Sequence, residues 1–268
     1  MIRIIIYCSL IILFNTSIEL KCQVLDLSPN ISFPVSSISI QDISDNPSKL
    51  INIERNSIAT SYIPSTFGLN ELSNHSLNVS FNSDSVIHFV NLSGIFQELY
   101  TYSSLGYSIG YHIFENFTPT VSVNYSYLNI QNYNSFGNFT FDIGGILELN
   151  SNFNFGFAIT NILNSSLEKN NDIKKQRALF GLEYELYESF RFQLGTEIRI
   201  ENSSSLIFSF IKEFDELGLM AISYSTEPQM IQFNLNIDTV DDFFLVYDMN
   251  YHNYLGVTNS FGLGYKFD

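Results

Sequence analysis

Apolar and polar side chains alternate with period two from about residue 57 to the end of the chain, and this alternation constrains the fold more than any other feature. Successive side chains on a strand point to opposite faces, so sustained alternation separates two environments. Phe190, Phe192, Leu194, Ile198 and Ile200 share one parity; Arg191, Gln193, Glu197 and Arg199 share the other. Ile231, Phe233, Leu235 and Ile237 alternate in the same way with Gln232, Asn234, Asn236 and Asp238. The pattern predicts about fourteen strands, among them 57–64, 86–93, 117–130, 189–200, 229–238 and 255–267. The breaks carry the residues that turns require, as at Asn82-Ser83-Asp84, Asn150-Ser151-Asn152 and Glu227-Pro228.

What the two environments are follows from composition. Charged residues make up 15% of the chain, against about 25% in an ordinary soluble domain. The polar parity carries Ser, Thr, Asn and Gly in place of the Lys and Glu of a solvated sheet, and Phe and Tyr crowd the apolar parity. A wet lumen and a lipid-facing exterior fit that division, and closure removes the sticky edges of so many strands. The expected fold is therefore all-β: a transmembrane antiparallel β-barrel of about fourteen strands in the outer membrane, with outer-membrane lipid against its apolar face. The longest connection, from about Asn161 to Lys175, falls between the seventh and eighth expected strands. With a periplasmic N-terminus that loop lies outside, where such barrels keep their long loops. In the last strand Phe261, Leu263, Tyr265 and Phe267 alternate with Gly262, Gly264 and Lys266. A terminal strand of this kind is what barrel-assembly machinery reads, which makes that machinery an expected partner.

The chain opens with Arg3 and an apolar run from Ile4 to Phe14, well short of the ~20 residues that span a bilayer. Residues 1–22 are read as a signal peptide cut after Cys22. Glu19, Leu20 and Lys21 before Cys22 disfavour lipid attachment there. Cys8, the only other cysteine, lies in the signal, so neither a disulfide framework nor a thiolate metal site is expected. Residues 23–56 lack sustained alternation and contain Pro29, Pro34 and Pro47; they are read as a plug-like segment in or under the barrel, which occupies 57–268.

Chemistry-bearing patterns are sparse. A net charge of −15 argues against nucleic acid as a partner. His75, His88, His112 and His252 show no metal-ligand spacing, and Gly144-Gly145 sits inside a strand pattern, where a bend or close packing explains it. No enzyme activity and no cofactor are expected. Glu183, Glu185, Arg191, Glu197 and Arg199 are expected to face the lumen, because Arg at mid-membrane costs about 2–4 kcal/mol on the lipid face. They read as an interior ion-pair network, or alternatively as a polar track that selects solute. Val86, Val90 and Leu92, in phase with His88, are read as candidate lining for an apolar pocket.

Two stretches resemble a known family. Asn46-Pro47-Ser48-Lys49-Leu50 resembles the Asn-Pro-Ala-x-Leu motif that precedes the first strand of FadL-type barrels, and more closely that of the PorV/PorQ branch of Bacteroidetes; Ser48 replaces the usual Ala. Residues Ser61 to Glu71 look like that branch's first strand and outer loop, and Leu255 to Tyr265 like its last hairpin. Here Asn46, Pro47 and Leu50 have a structural role: Asn46 caps, Pro47 fixes φ, and the chain turns into the barrel. The resemblance implies a fourteen-stranded barrel and two kinds of job. PorV/PorQ-like members serve type IX secretion, so the expected function is an accessory role there, with secretion subunits or cargo as partners. The alternative is FadL-like passive transport of hydrophobic compounds across the outer membrane; a barrel filled by its own side chains, serving as a scaffold, is a third.

Overall fold

The alternating stretches form fourteen strands: β1 (Asn56–Ile63), β2 (Asn74–Ser83), β3 (Val86–Phe96), β4 (Tyr100–Tyr111), β5 (Phe117–Ile130), β6 (Ser135–Asn150), β7 (Phe153–Thr160), β8 (Arg177–Tyr187), β9 (Phe190–Arg199), β10 (Ser204–Glu213), β11 (Gly218–Thr226), β12 (Gln229–Asp238), β13 (Phe243–His252) and β14 (Gly256–Phe267). Each strand pairs antiparallel with its sequence neighbours, and β1 pairs with β14, so the sheet closes into a barrel. The computed structural model describes residues 30–35, 43, 46–52, 55–83, 85–113, 116–133, 135–163, 176–187, 189–199, 204–239 and 242–268. The signal read in 1–22, Ile200, and residues 164–175 of the long loop lie outside the described residues.

Both ends of the barrel chain, Asn56 and Phe267, lie at one end of the barrel, together with short connections such as 84–85, 151–152 and 188–189. The strand ends that flank the longest connections, Ile63 with Asn74 and Thr160 with Arg177, lie at the other. Outer-membrane barrels keep short turns in the periplasm and long loops outside, so the second end is the outer one.

The apolar parity faces outward, with Leu194, Leu206, Ile222, Ile231 and Leu263 among its exposed members. Aromatic rings band the periplasmic rim in cross-strand pairs: Phe81 with Phe267, Phe153 with Tyr184, Phe190 with Phe210, Phe243 with Tyr265. Lys212 belongs to this band. Its ammonium lies 4.0 Å from the Phe190 ring centroid and donates to Ser189, so the stem follows the apolar band while the charge reaches the interface.

The polar parity faces inward, and many of its side chains hydrogen-bond one another across the ladders. Ser57 pairs with Ser80 (2.7 Å), Ser122 donates to Ser108 (2.6 Å), Asn91 to Asn78 (2.6 Å) and Ser223 to Ser209 (2.9 Å). Among the described residues the ladders shift register at only two places, Glu148/Asn150 and Glu185/Tyr187, both at the periplasmic rim. At membrane depth the wall is unbroken.

Candidate functional site: the lumen and the segment across it

Of the described residues before β1, 30–35, 43 and 46–50 lie inside the barrel, while Arg55 stands exposed at the rim. Ile31, Phe33, Val35, Ile43 and Leu50 are buried, and the short 3-10 turn Pro47–Asn52 packs against β3 to β7. Asn46 explains the sharpness of that turn. Its Oδ1 accepts from the Ser48 backbone N–H (3.1 Å) and from the Ser48 hydroxyl (2.7 Å), and its Nδ2 donates to the Phe33 carbonyl (2.7 Å). An Asn in this place satisfies the free N–H of a first turn, and Pro47 next to it has no N–H to satisfy. The Ser48 hydroxyl also lies 2.7 Å from the Pro34 carbonyl oxygen, tying two parts of the inner segment together. Leu50 packs with Ile43 against Ile87 and Phe89 of β3. Lys49, which carries no signal in the sequence, is buried in the lumen.

Across β7, β8 and β9 the inward side chains form rows fixed by register. Counting from the outer end, the rows are Thr160, Arg177 and Arg199; then Ala158, Leu179 and Glu197; then Gly156, Gly181 and Gly195; then Asn154, Glu183 and Gln193; and last Glu185 with Arg191. The five charged residues singled out in the sequence therefore fall into two clusters on either side of a row of glycines. Below the row, toward the periplasm, Arg191 bridges Glu183 (3.7 Å) and Glu213, while Glu183 also accepts from Gln193 (2.6 Å) and Asn154 (3.2 Å). Glu185 lies beside Arg191 in register but only half-buried, at the rim. Above the row, Glu197 accepts from Arg199 (2.6 Å) and lies 4.0 Å from Arg177. The periplasmic cluster thus sets one guanidinium among three carboxylates, and the outer cluster sets two guanidiniums around one carboxylate.

The glycine row is filled by the inner segment. A Cβ on Gly156 would run into the Pro34 carbonyl oxygen, and one on Gly181 would come within 2.8 Å of Pro34 Cγ. One on Gly195 would stand 3.6 Å from the Phe33 ring. Phe33 and Ile31 then cluster with Ala158, Leu179, Ile207 and Met230. The Ile31 N–H is held by Gln232 Oε1 of β12 (2.9 Å), and Asn30 Oδ1 accepts from Asn250 of β13 (3.0 Å). Gly144 of the Gly144-Gly145 pair faces Ser48 of the segment; Gly145 faces lipid, beneath the Phe117 and Phe157 rings.

One expectation is corrected. Val86, His88, Val90 and Leu92 point outward; Leu92 is exposed, and His88 Nδ1 hydrogen-bonds the Tyr107 hydroxyl (2.8 Å) on the lipid side. The inward residues of β3 are Ile87, Phe89, Asn91, Ser93 and Ile95. Both parities of β3 are apolar because its inner face packs against Ile43 and Leu50 while its outer face meets lipid, so alternation gave no phase there. Nearer the outer mouth Ile95, Tyr102, Leu128 and Phe136 are successive cross-strand neighbours on the inner wall of β3 to β6. Loop 64–73 bends in over the mouth: Thr66 is buried, and the Phe67 N–H donates to the inward hydroxyl of Thr258 (2.8 Å). In β14 Phe261, Leu263 and Tyr265 face lipid, and Phe267 packs on Phe81 at the rim.

No protein-family model matches the sequence, and no curated protein matches it. Solved structures share its fold. The CymD monoaromatic hydrocarbon channel superposes with a TM-score of 0.63 at 8% identity, covering 86% of this chain and 93% of that one. The toluene transporter TodX of P. putida superposes with a TM-score of 0.64 at 10% identity, covering 88% and 96%, and its deltaS2 mutant with 0.64 at 8%, covering 91% and 100%. The chain is an outer-membrane β-barrel that shares its fold with these channels.

Proposed function

We propose that the barrel is a passive channel carrying small hydrophobic compounds across the outer membrane. One observation carries this reading. A lumen lined elsewhere by Ser, Thr and Asn has apolar inward side chains at Ala158, Leu179, Ile207 and Met230 on one side and at Ile87 and Phe89 on the other. Ile95, Tyr102, Leu128 and Phe136 extend the apolar surface toward the outer mouth. Part of this surface packs the inner segment, and its continuation toward the mouth offers a hydrophobic solute about 25 cal/mol per Å² of apolar area that it buries. The likeness of its fold to a toluene transporter and a monoaromatic hydrocarbon channel lends support. Lipid around the outward face and the assembly machinery reading β14 are the partners this reading needs.

The test is uptake of a monoaromatic hydrocarbon by cells whose lipopolysaccharide-bearing outer membrane contains this protein and no channel of its own for such compounds. Uptake several times faster than in cells with an empty vector is expected. Equal uptake, with the barrel assembled, rejects the reading. An accessory role in type IX secretion is the second reading, favoured by the likeness of Asn46 to Leu50 and of the last hairpin to PorV/PorQ proteins. Mild-detergent purification from the native membrane, with secretion subunits or cargo retained, is the outcome that selects it.

A further inference from the structure

We infer that loop 64–73 is a strap over the outer mouth, latched by Thr258 and His252, and that it lets go when His252 takes up a proton. The inference goes beyond the transport reading and stands whatever passes the lumen.

The loop is anchored unequally. Its returning arm is tied to the β3–β4 hairpin, where the Tyr100 hydroxyl donates to the Glu71 carbonyl (2.8 Å) and Gln97 Nε2 donates to the Ser73 hydroxyl (3.2 Å). Its tip is a tight turn in which Thr66 and Leu69 exchange backbone hydrogen bonds. Both middle residues of that turn have positive φ, 54° at Phe67 and 79° at Gly68. Glycine takes such a conformation freely, whereas a bulky residue such as phenylalanine resists it. Strain of this kind persists only where surrounding contacts impose it, and it gathers at switch regions. At Phe67 two contacts impose it. Its N–H donates to the inward hydroxyl of Thr258 on β14 (2.8 Å), and its ring meets the His252 ring edge-on, with centroids 5.7 Å apart.

His252 ends β13, and the turn that follows holds its ring. Nδ1 accepts from the Tyr254 N–H (3.1 Å) and from the Leu255 N–H (3.2 Å). An imidazole nitrogen with two donors aimed at it carries no proton, so the latched ring is neutral, with its hydrogen on Nε2. A proton on Nδ1 turns this acceptor into a donor that faces two donors. The ring must then leave the turn, Phe67 loses its neighbour, and the strained tip relaxes. The closed strap accepts only neutral His252. Acid therefore favours the open strap, by up to about tenfold for each pH unit below the ordinary imidazole value of about 6.5. The residues set against His252 are Met230 of β12, Gly256 of β14, Phe67 of the loop and Tyr254 of its own turn. Of these only Tyr254 carries a titratable group, and a phenol has no proton to gain in acid. The loop's carboxylate, Glu71, and Glu227 before β12 are exposed. A second imidazole, His75, stacks on Tyr62 at the foot of the loop, with centroids 4.6 Å apart.

The chain contains no tryptophan, so Phe67→Trp places a single fluorescent reporter in the latch. The experiment reads its emission wavelength and its quenching by acrylamide in the assembled full-length protein, at about pH 7.5 and about pH 5, on either side of the imidazole value. A red shift and stronger quenching in acid are expected, reversed on return to neutral pH. His252→Asn keeps an acceptor oxygen where Nδ1 stands but takes up no proton, and is expected to abolish the shift. His75→Asn is expected to leave the shift intact. Thr258→Val removes one latch contact without removing a titratable group, and is expected to give the open emission at both pH values. Leu72→Trp reports from the same loop if Phe67→Trp fails to assemble. Emission that does not change with pH in the assembled reporter protein overturns the latch. So does a shift that survives His252→Asn, one that disappears with His75→Asn, or closed emission at neutral pH in Thr258→Val.

Discussion

The wall and the inner segment are held in place by different means, and the difference decides what each can do. Every wall strand is tied to two neighbours by backbone ladders that do not depend on which side chain stands where. Among the described residues, the segment inside pairs with no strand. Side chains hold it, among them Asn46 and Ser48 at the turn, Gln232 and Asn250 reaching across from the wall, and apolar contacts at Phe33 and Leu50. A wall built on redundant bonds tolerates sequence change; a segment held by side chains is one that small changes can release.

The largest effect is expected where the wall meets lipid. Leu194 faces outward near the middle of β9, and Leu194→Arg places a charge there at a cost of about 2–4 kcal/mol. Assembly is expected to fail, seen as loss of the mobility difference between boiled and unboiled protein on a detergent gel. Arg199→Ala, on the inner face of the same strand, is expected to keep that difference. Equal outcomes for the two break the assignment of faces.

Next comes the turn. Asn46→Ala leaves the buried Phe33 carbonyl and the Ser48 N–H without their partner, about 1–3 kcal/mol for a stranded group. The gel difference is expected to persist, while limited proteolysis with mass spectrometry finds cuts within residues 30–52 that the wild type resists. Unchanged protection erases the contrast between wall and segment. A third variant sharpens it. A Cβ on Gly110 stands 3.6 Å from Leu50 Cβ, inside the ~3.5–4.5 Å range of disulfides. Leu50→Cys with Gly110→Cys is expected to form a cross-link on oxidation, detected as a linked peptide, with no loss of assembly. Absence of the link puts Leu50 elsewhere than on β4.

The smallest effect is at the periplasmic rim, where Arg55 bonds Asp242 (2.7 Å) and lies 3.3 Å from Asp268. The hydrogen bond from Arg55 holds the Asp242 carboxyl below its ordinary value of 3.8. A carboxyl lowered on folding adds stability above its ordinary value and loses it as pH falls through the lowered one. Acidification below that ordinary value is therefore expected to lower the temperature at which the gel difference disappears, slightly less in Asp242→Asn than in the wild type. Identical pH dependence removes this clasp from the account.

Much of the fold was legible because a barrel wall writes itself into parity. The expected spans 117–130 and 229–238 coincide with β5 and β12, and the parity of Phe190 to Arg199 matches its burial. Parity failed in β3, where lipid on one side and Ile43 and Leu50 on the other made both faces apolar. The seat for the inner segment was not legible at all. Gly156, Gly181 and Gly195 lie far apart in the chain, each has an ordinary explanation alone, and only strand register puts them side by side. The burial of Lys49 was hidden likewise, since its surroundings come from strands remote in sequence.

The pairing of β1 with β14 has a consequence for how the molecule is made. Every other pair joins neighbouring hairpin arms, whereas this one brings Asn56 against Phe267 across the whole barrel sequence. Chain entropy opposes contacts between distant residues, and folding slows as such contacts come to dominate. The thirteen local pairs can form one after another as a growing curved sheet, but until the last seam shuts, two bare edges remain able to take up strands from other molecules. The slowest moment of its making is thus also the one at which this barrel is most exposed to misassembly, and a chaperone that shelters β1 and β14 until they meet has the most to offer there.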